Sequence, residues 1–356
     1  MWSRIDRYIA QHILSATAIV MLVLVGLMGI SLLLDELGEV DKFYTFGVAS
    51  QFTLLSLPGL AYQLLPLSCL VGTLIGLGIL ASNSELTVIR AAGVSMSRLI
   101  LSVAKPIALV AALALLTSQV GVPDSQQAAR AVKGIAKAQS GRLDTRSGGW
   151  FRQGDTYLHV SAIDPSGTIF GITRHRFDVN LRLVETSYAE RANYDFEKRE
   201  WALSNLQVTT VSDDRVTRET IKKGFWPTQL DPALLSEILV PPSDLPLLGL
   251  SSYSSYLENQ GVDATPYLLA FWGKLFQPLG IVALVLIGVA FVFGPLRGVT
   301  VGQRIITGVV IGLVFKFSQD LLAPASQVLG FSPLLAALIP ILISLMVGLW
   351  LLARVR

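Results

Sequence analysis

Charge is scarce in this chain: Lys, Arg, Asp and Glu together make up 15% of its 356 residues, against roughly 25% in an ordinary soluble protein. A chain so poor in charge cannot keep most of its surface in water. Cysteine is nearly absent. Cys69 is the single one and lies in an apolar run, which excludes an intrachain disulfide, a Cys-built zinc cluster and a CxxC redox site. Histidine is almost as rare, and His12, His159 and His175 lie far apart in different contexts, so no metal or catalytic cluster is expected from them. A Walker A loop, H-E-x-x-H, G-x-S-x-G and a Rossmann glycine pattern are all missing, which removes nucleotide hydrolysis and the common hydrolase routes. Basic runs are missing too. The formal charge of +3 is spread thinly along the chain, so nucleic acid is not an expected partner.

What the sequence has instead is long apolar stretches, with hydrophobic residues at 52% and a mean hydropathy of +0.58. About 20 apolar residues in a helix cross a hydrocarbon core. Six segments qualify: His12 to Leu34, Leu54 to Ala81, Leu99 to Val120, Tyr267 to Phe293, Val301 to Leu321 and Phe331 to Ala353. Arg4 and Arg7 precede the first, which is too long for a cleaved signal sequence and reads as an uncleaved anchor. Cations cluster at alternate span ends, as Arg4 and Arg7, Arg90 and Arg98, Arg297 and Arg304, and Arg354 and Arg356. By the positive-inside rule those ends and both termini are cytoplasmic. The first opposite loop carries Asp35, Glu36, Glu39 and Asp41 against Lys42.

Between Val122 and about Asp263 the pattern changes to short alternating stretches, Tyr157 to Ile163, Leu181 to Tyr188 and Trp201 to Val211. These read as strands. Asp164-Pro165-Ser166-Gly167, Asp178-Val179-Asn180 and Glu197-Lys198-Arg199 supply turn chemistry between them. The expected fold is a polytopic α-helical membrane protein, with six transmembrane helices (3+3) around an inserted all-β domain of sandwich or jellyroll-like type facing outward, away from the cytoplasm. Its parts are residues 1–122, with a cytoplasmic surface helix near 82–95; residues 123–265, the β domain with a flanking helix and linker; and residues 266–356. The Ala- and Gln-rich stretch Pro123 to Gln139 reads as the third span continuing outward, and Pro241 to Pro246 as a return linker. No sequence repeat relates the two halves.

Several residues carry two readings. Ser82 and Glu85 fit an S-x-x-E capping box, yet Glu85, with Leu86 and Ile89 on one face and Arg90 beyond them, also suits a helix that plugs into a cytoplasmic partner. Arg130 and Lys133, at i and i+3, present two cations on one face; they suit a phosphate or a solvated helix surface. Lys274, Lys316 and Asp320 are charges in or beside apolar spans. For Lys316 and Asp320, mutual neutralisation at i+4 is the simpler reading, and for Lys274 snorkelling toward the span's outer end. Gly72-x-x-x-Gly76 and Gly308-x-x-x-Gly312 allow close helix approach. Pro58, Pro66, Pro106 and Pro278 interrupt spans.

Four segments carry a family resemblance: Asp6-Arg7-Tyr8-Ile9, Ser84-Glu85-Leu86-Thr87-Val88-Ile89-Arg90-Ala91-Ala92-Gly93, Lys274-Leu275-Phe276-Gln277-Pro278-Leu279 and Phe293-Gly294-Pro295-Leu296-Arg297. With the three-domain-three layout, the chain resembles the LptF/LptG permease family over essentially its whole length, and the last two segments are closer to the LptG branch. The resemblance implies a bacterial inner-membrane permease subunit of an ABC-type lipopolysaccharide exporter, one that extracts lipopolysaccharide from the outer leaflet. Implied partners are an LptF-like paralogue, an LptB ATPase dimer, LptC and a periplasmic jellyroll bridge protein, besides membrane lipid. Lipid would enter a V-shaped cavity between the two permease chains through lateral gates made by the first and fifth helices. The chain itself would be no enzyme and bind no cofactor, ATP and magnesium belonging to the ATPase. Carried onto this sequence, Glu85, Leu86, Ile89 and Arg90 become the ATPase-coupling residues, and Arg130 and Lys133 the head-group contacts. Some family members have lysines near the outer end of the first helix, where this chain has Leu32, Asp35, Glu36 and Glu39, so no head-group contact is assigned there. The competing readings are a membrane-anchored periplasmic scaffold, and an intramembrane hydrolase built on Lys316 and Asp320.

Overall fold

The computed structural model describes residues 3–139, 149–153, 155–163, 167–198, 200–212, 215–227, 232, 235, 240–259, 263–294 and 299–354. Pro295-Leu296-Arg297, Asp164-Pro165-Ser166, Arg199 and Arg356, all used in the sequence reading, lie outside them. Helices α1 (Arg4–Leu37), α2 (Phe46–Ser82), α3 (Glu85–Ala91), α4 (Met96–Thr117) and α5 (Gly121–Gln139) come first. Strands β1 (Gly149–Gln153), β2 (Thr156–Ile163), β3 (Ile169–Phe177), β4 (Leu183–Asp195), β5 (Glu200–Ser212) and β6 (Arg215–Pro227) follow. Then come α6 (Leu247–Asn259), α7 (Thr265–Phe293), α8 (Val301–Leu329) and α9 (Pro333–Arg354). Among the described residues six helices, α1, α2, α4, α7, α8 and α9, are long and apolar enough to cross a membrane. The strands are inserted between the first three and the last three, as the apolar pattern predicts.

The chain divides into two compact units, residues 1–28, 58–122 and 246–356 in one and residues 29–57 and 123–245 in the other. In the first, α2 is the element around which others pack. A Cβ at Gly76 would stand 2.7 Å from the His12 carbonyl oxygen, and one at Gly72 would stand 2.5 Å from the Thr17 Cα, so α1 lies directly on this face of α2. Gly308 and Gly312 of α8 do the same for Leu74 and Leu67 of α2. Both small-residue motifs therefore serve packing within the chain, where only a missing Cβ lets two helices approach this closely. The buried core draws Ile9, Leu70, Leu86, Val103, Leu284, Phe315 and Ile341 from all seven helices of the unit outside α6.

Pro66 inside α2 removes the N–H that would satisfy the Tyr62 carbonyl four residues earlier. Gln277 of α7 replaces it, its Nε2 donating to the Tyr62 oxygen at 2.9 Å. An unsatisfied carbonyl is expensive where no water reaches it, so the Gln277-Pro278 segment has a structural task. The third span does not run on into α5. Its helix tightens at Ser118 and Gln119, whose N–H groups donate to Ala114 and Leu116, and a new helix starts at Gly121. Pro123 then falls in a first turn, where its missing N–H is harmless.

The second unit holds one antiparallel sheet in the order β1-β2-β3-β4-β5-β6. Among the described residues the inserted all-β domain is thus an up-and-down sheet, which refines the sandwich or jellyroll-like expectation. Its buried residues change parity along three consecutive strands, from Ile169 to Ile172, Ala192 to Ala189 and Leu203 to Leu206. Gly171 (φ 66°) and Asn205 (φ 53°) lie on that line in left-handed backbone. Such irregularities bend strands and let them turn from one layer to another. Trp201 and Leu158, both fully buried, centre the core.

Candidate functional site

Two polar constellations stand out, one in each unit. In the first unit the short helix α3 is closed at its end by Gly93 (φ 89°). The Gly93 N–H donates to the Arg90 oxygen at 3.0 Å and the Val94 N–H to the Ile89 oxygen at 3.4 Å, which is the Schellman arrangement of a helix C-terminus. At its start the capping box expected from Ser82 and Glu85 is not formed. Ser84 is the N-cap residue, in left-handed backbone and without a side-chain cap bond, while the Ser82 hydroxyl donates back to the Ile79 oxygen of α2 at 2.8 Å. Glu85 is left to face another helix. The Tyr8 hydroxyl of α1 donates to Glu85 Oε2 at 2.7 Å, and Asn83 Nδ2 donates to Oε1 at 3.3 Å.

Leu86 is 4% exposed and Ile89 packs partly against the same helical core. They anchor α3 to its own unit and leave Arg90 and Val88 outermost, Val88 at 66% exposure. Sequence periodicity had the apolar face right and its destination open; Val88 carried no signal apart from being apolar off that face.

Asp6 was legible only as part of a motif, and its surroundings are more telling. The carboxylate is fully buried and accepts from Ser102 Oγ at 2.6 Å, Lys105 Nζ at 2.6 Å and Arg98 at 3.4 Å, all on α4. It also forms a reciprocal cap with Ser3, each backbone N–H donating to the other side chain at 3.1 Å. The spacing Ser3-x-x-Asp6 could have revealed the cap, but nothing in sequence could have revealed the cations about a hundred residues on. Arg304, counted among the span-end cations by the orientation argument, is 1% exposed, its guanidinium donating to the Gly78 oxygen of α2 at 2.6 Å.

In the second unit Arg130, Lys133 and Lys137 share one face of α5, at i, i+3 and i+7. Each already meets a carboxylate. Arg130 donates from Nε to Asp244 Oδ2 at 2.8 Å. Lys133 Nζ reaches both oxygens of Glu36, at 2.7 and 2.8 Å, and lies 3.2 Å from Glu39. Lys137 meets Glu39 at 2.6 Å. Tyr44 closes the group by donating to Glu36 at 2.6 Å, and the Lys133 ammonium lies over the Tyr44 and Phe52 rings. Burial and the neighbouring Glu36 carboxylate push the Tyr44 phenol well above its ordinary range, while Lys137 holds the Glu39 carboxyl below its own. Three cations face three carboxylates, so the solvated-face and bare-phosphate readings both miss the local balance. Glu36 and Glu39, at and just beyond the end of α1, are the counter-ions of Lys133 and Lys137.

The remaining charges differ from expectation in one case. Lys316 and Asp320 pair at 2.6 Å and are about half exposed on α8, as the i+4 spacing predicts. Lys274 does not snorkel outward: it is 6% exposed inside the helical unit, because its face of α7 is turned to protein. In the sheet, pairing of neighbouring strands brings two of the three histidines to one ring. Trp150 lies 4.9 Å from His159 and 6.0 Å from His175 between ring centroids. Among the described residues no group of three or more His, Cys, Asp or Glu could hold a metal ion.

Residues 7–354 match the family model described as lipopolysaccharide export system permease LptF/LptG. The chain belongs to the LptF/LptG permease family. It is 34% identical to the lipopolysaccharide export system permease protein LptG of Escherichia coli K12, covering 98% of both chains. It is 31% identical to the LptG protein of Haemophilus influenzae over the full length of each. Among the described residues, the Tyr8–Glu85 pair, the buried Asp6 cluster and the α5 cation face are places where polar side chains meet.

Proposed function

We propose that this chain is the LptG-type permease subunit of a lipopolysaccharide exporter in the bacterial inner membrane, working without catalytic residues of its own. The observation that carries this reading is the family match across residues 7–354 with relatives covered end to end. Six membrane-capable helices with an inserted sheet fit the same role. An uneven distribution of burial adds support. Only 11% of the α1 span, 17% of the α8 span and 22% of the α9 span are buried within the chain, against 61% for α2 and 56% for α7. Large apolar faces on these spans call for cover from lipid and from a second permease chain, an LptF-like paralogue.

In this reading both termini and α3 lie in the cytoplasm and the sheet in the periplasm, where LptC and a bridge protein receive the lipid. Glu85 and Arg90, with Val88 exposed beside them, engage the ATPase LptB, which binds ATP and magnesium. Arg130 and Lys133 meet the phosphorylated head group, which exchanges with Glu36 and Asp244 for the same cations. Reversing Glu85 to Lys should abolish lipid export and weaken ATPase association in the purified complex; unchanged export and association would remove this assignment. Replacing Arg130 and Lys133 by Glu should lower the amount of lipopolysaccharide retained on purification, and equal retention would leave them as structural ion pairs.

A further inference from the structure

We propose that Tyr8 is the positioning residue of the coupling carboxylate, and that through it α1 follows what happens at Glu85. The inference rests on the export reading above and deepens it, by naming the residue that passes the partner contact into a membrane-spanning helix. The hydrogen bond itself joins residues 77 apart in sequence at 2.7 Å. Neither partner is buried, Tyr8 being 40% exposed, so burial does not force them together. A carboxylate offers about four acceptor positions. Tyr8 and Asn83 take one each, on different oxygens, and the others stay open to a guanidinium or ammonium from outside. Phenol and incoming cation are both donors. Engagement therefore leaves the Tyr8 bond in place, the incoming donor taking an acceptor position that Tyr8 does not use.

The first turn of α1 is gripped from two directions. Asp6 precedes Tyr8 by two residues and so points about 200° away around the helix, into Ser102, Lys105 and Arg98 of α4. Tyr8 points to α3. Farther along, α1 touches α2 closely at Gly76 and Gly72, and most of its span is uncovered within the chain. A helix held at both ends, here by Asp6 and Glu36, and largely uncovered between them tilts when its first turn is moved. Tyr8 suits this task because the phenol carries a neutral donor on a rigid ring, braced edge-on by His12 with centroids 4.5 Å apart. Removing only the hydroxyl leaves that brace in place.

The test uses the full complex with its ATPase and paralogue, in nanodiscs of phosphatidylethanolamine and phosphatidylglycerol carrying lipopolysaccharide as the probe lipid. A spin label on Leu22→Cys, a position 74% exposed on α1, reports the motion of the helix; the native Cys69 is fully buried. Wild type, Tyr8→Phe, Glu85→Ala, Glu85→Lys and the Tyr8→Phe/Glu85→Ala double variant are compared. Tyr8→Phe is expected to keep ATPase association, to lower lipid released per ATP roughly tenfold, the loss of one hydrogen bond to a charged group, and to blunt the nucleotide response of the label. In the Glu85→Ala background, which has no acceptor for the hydroxyl, the same change should add nothing, which a merely structural tyrosine would not show. Wild-type release and label response in Tyr8→Phe, with Glu85→Lys impaired, overturn the inference alone. Wild-type behaviour of both variants overturns the coupling reading beneath it as well. Full additivity in the double variant overturns the link between the two residues.

Discussion

Lys133 is held by Glu36 through both carboxylate oxygens, at 2.7 and 2.8 Å, with 19% and 8% of the two side chains exposed. The pair ties α5 to the last turn of α1, and Tyr44 adds a third hydrogen bond to the same carboxylate. Removing Glu36 leaves Lys133 with the half-exposed Glu39 alone, at 3.2 Å, and takes the acceptor from Tyr44, at a cost of up to about 3 kcal/mol. Glu36→Leu should therefore lower the unfolding midpoint of the detergent-solubilised chain clearly, and the exchange Glu36→Lys with Lys133→Glu should recover much of the loss. Equal midpoints for Glu36→Leu and wild type would show that the pair contributes nothing.

Glu39 sets a pH dependence of known sign. Lys137 first and Lys133 after it lower its pKa below the ordinary 4.5, so its contribution is complete above 4.5 and disappears as pH falls through the lower, folded-state value. With the side chain 45% exposed, solvent screening keeps this contribution below about 1 kcal/mol. The difference in thermal midpoint between wild type and Glu39→Gln should stay constant between neutrality and about pH 5 and should shrink below that. A difference that grows on acidification would contradict the assignment.

Gln277 and Pro66 make a pair separable by a double-mutant cycle. Gln277→Leu strands the Tyr62 carbonyl, a loss of about 1–3 kcal/mol. In a Pro66→Ala chain, whose residue 66 N–H can bond Tyr62 directly, the same change should cost much less. Equal costs in the two backgrounds, measured by unfolding in detergent, would show that Gln277 acts elsewhere.

Lys316 and Asp320 are paired but half exposed in the middle of α8. Neutralising one leaves a lone charge in an apolar span, roughly 2.5 to 3.5 kcal/mol at mid-helix, so Lys316→Leu should reduce the yield of membrane-inserted protein. Lys316→Leu with Asp320→Leu should restore it. Export by the double variant then reads the pair's role directly: retained export makes the pair a local neutralisation and also removes the intramembrane hydrolase reading.

The six spans and the inserted sheet were legible because a membrane helix and a half-buried strand each write their period into local sequence. Side-chain partners were not, because they are set by residues far off. The Ser82–Glu85 spacing suggested a cap from four residues, while the partner of Glu85 comes from Tyr8, 77 positions away. The counter-ions of Lys133 and Arg130 lie 97 and 114 positions away, so a face read as two free cations is charge-balanced. Lys274 was misread because its depth along the helix is local and the direction of its face is not. The parity change through Gly171 and Asn205 escaped notice for a related reason: a strand that bends breaks the alternation by which strands are found.

The most direct test of the export reading is purification of the tagged full-length chain from its own membranes in mild detergent, with mass spectrometry of the associated proteins and lipid. Recovery of an ATPase, a second six-helix permease and bound lipopolysaccharide is expected. A chain recovered alone, or with ordinary phospholipid as its only companion, would contradict it and favour a membrane-anchored scaffold.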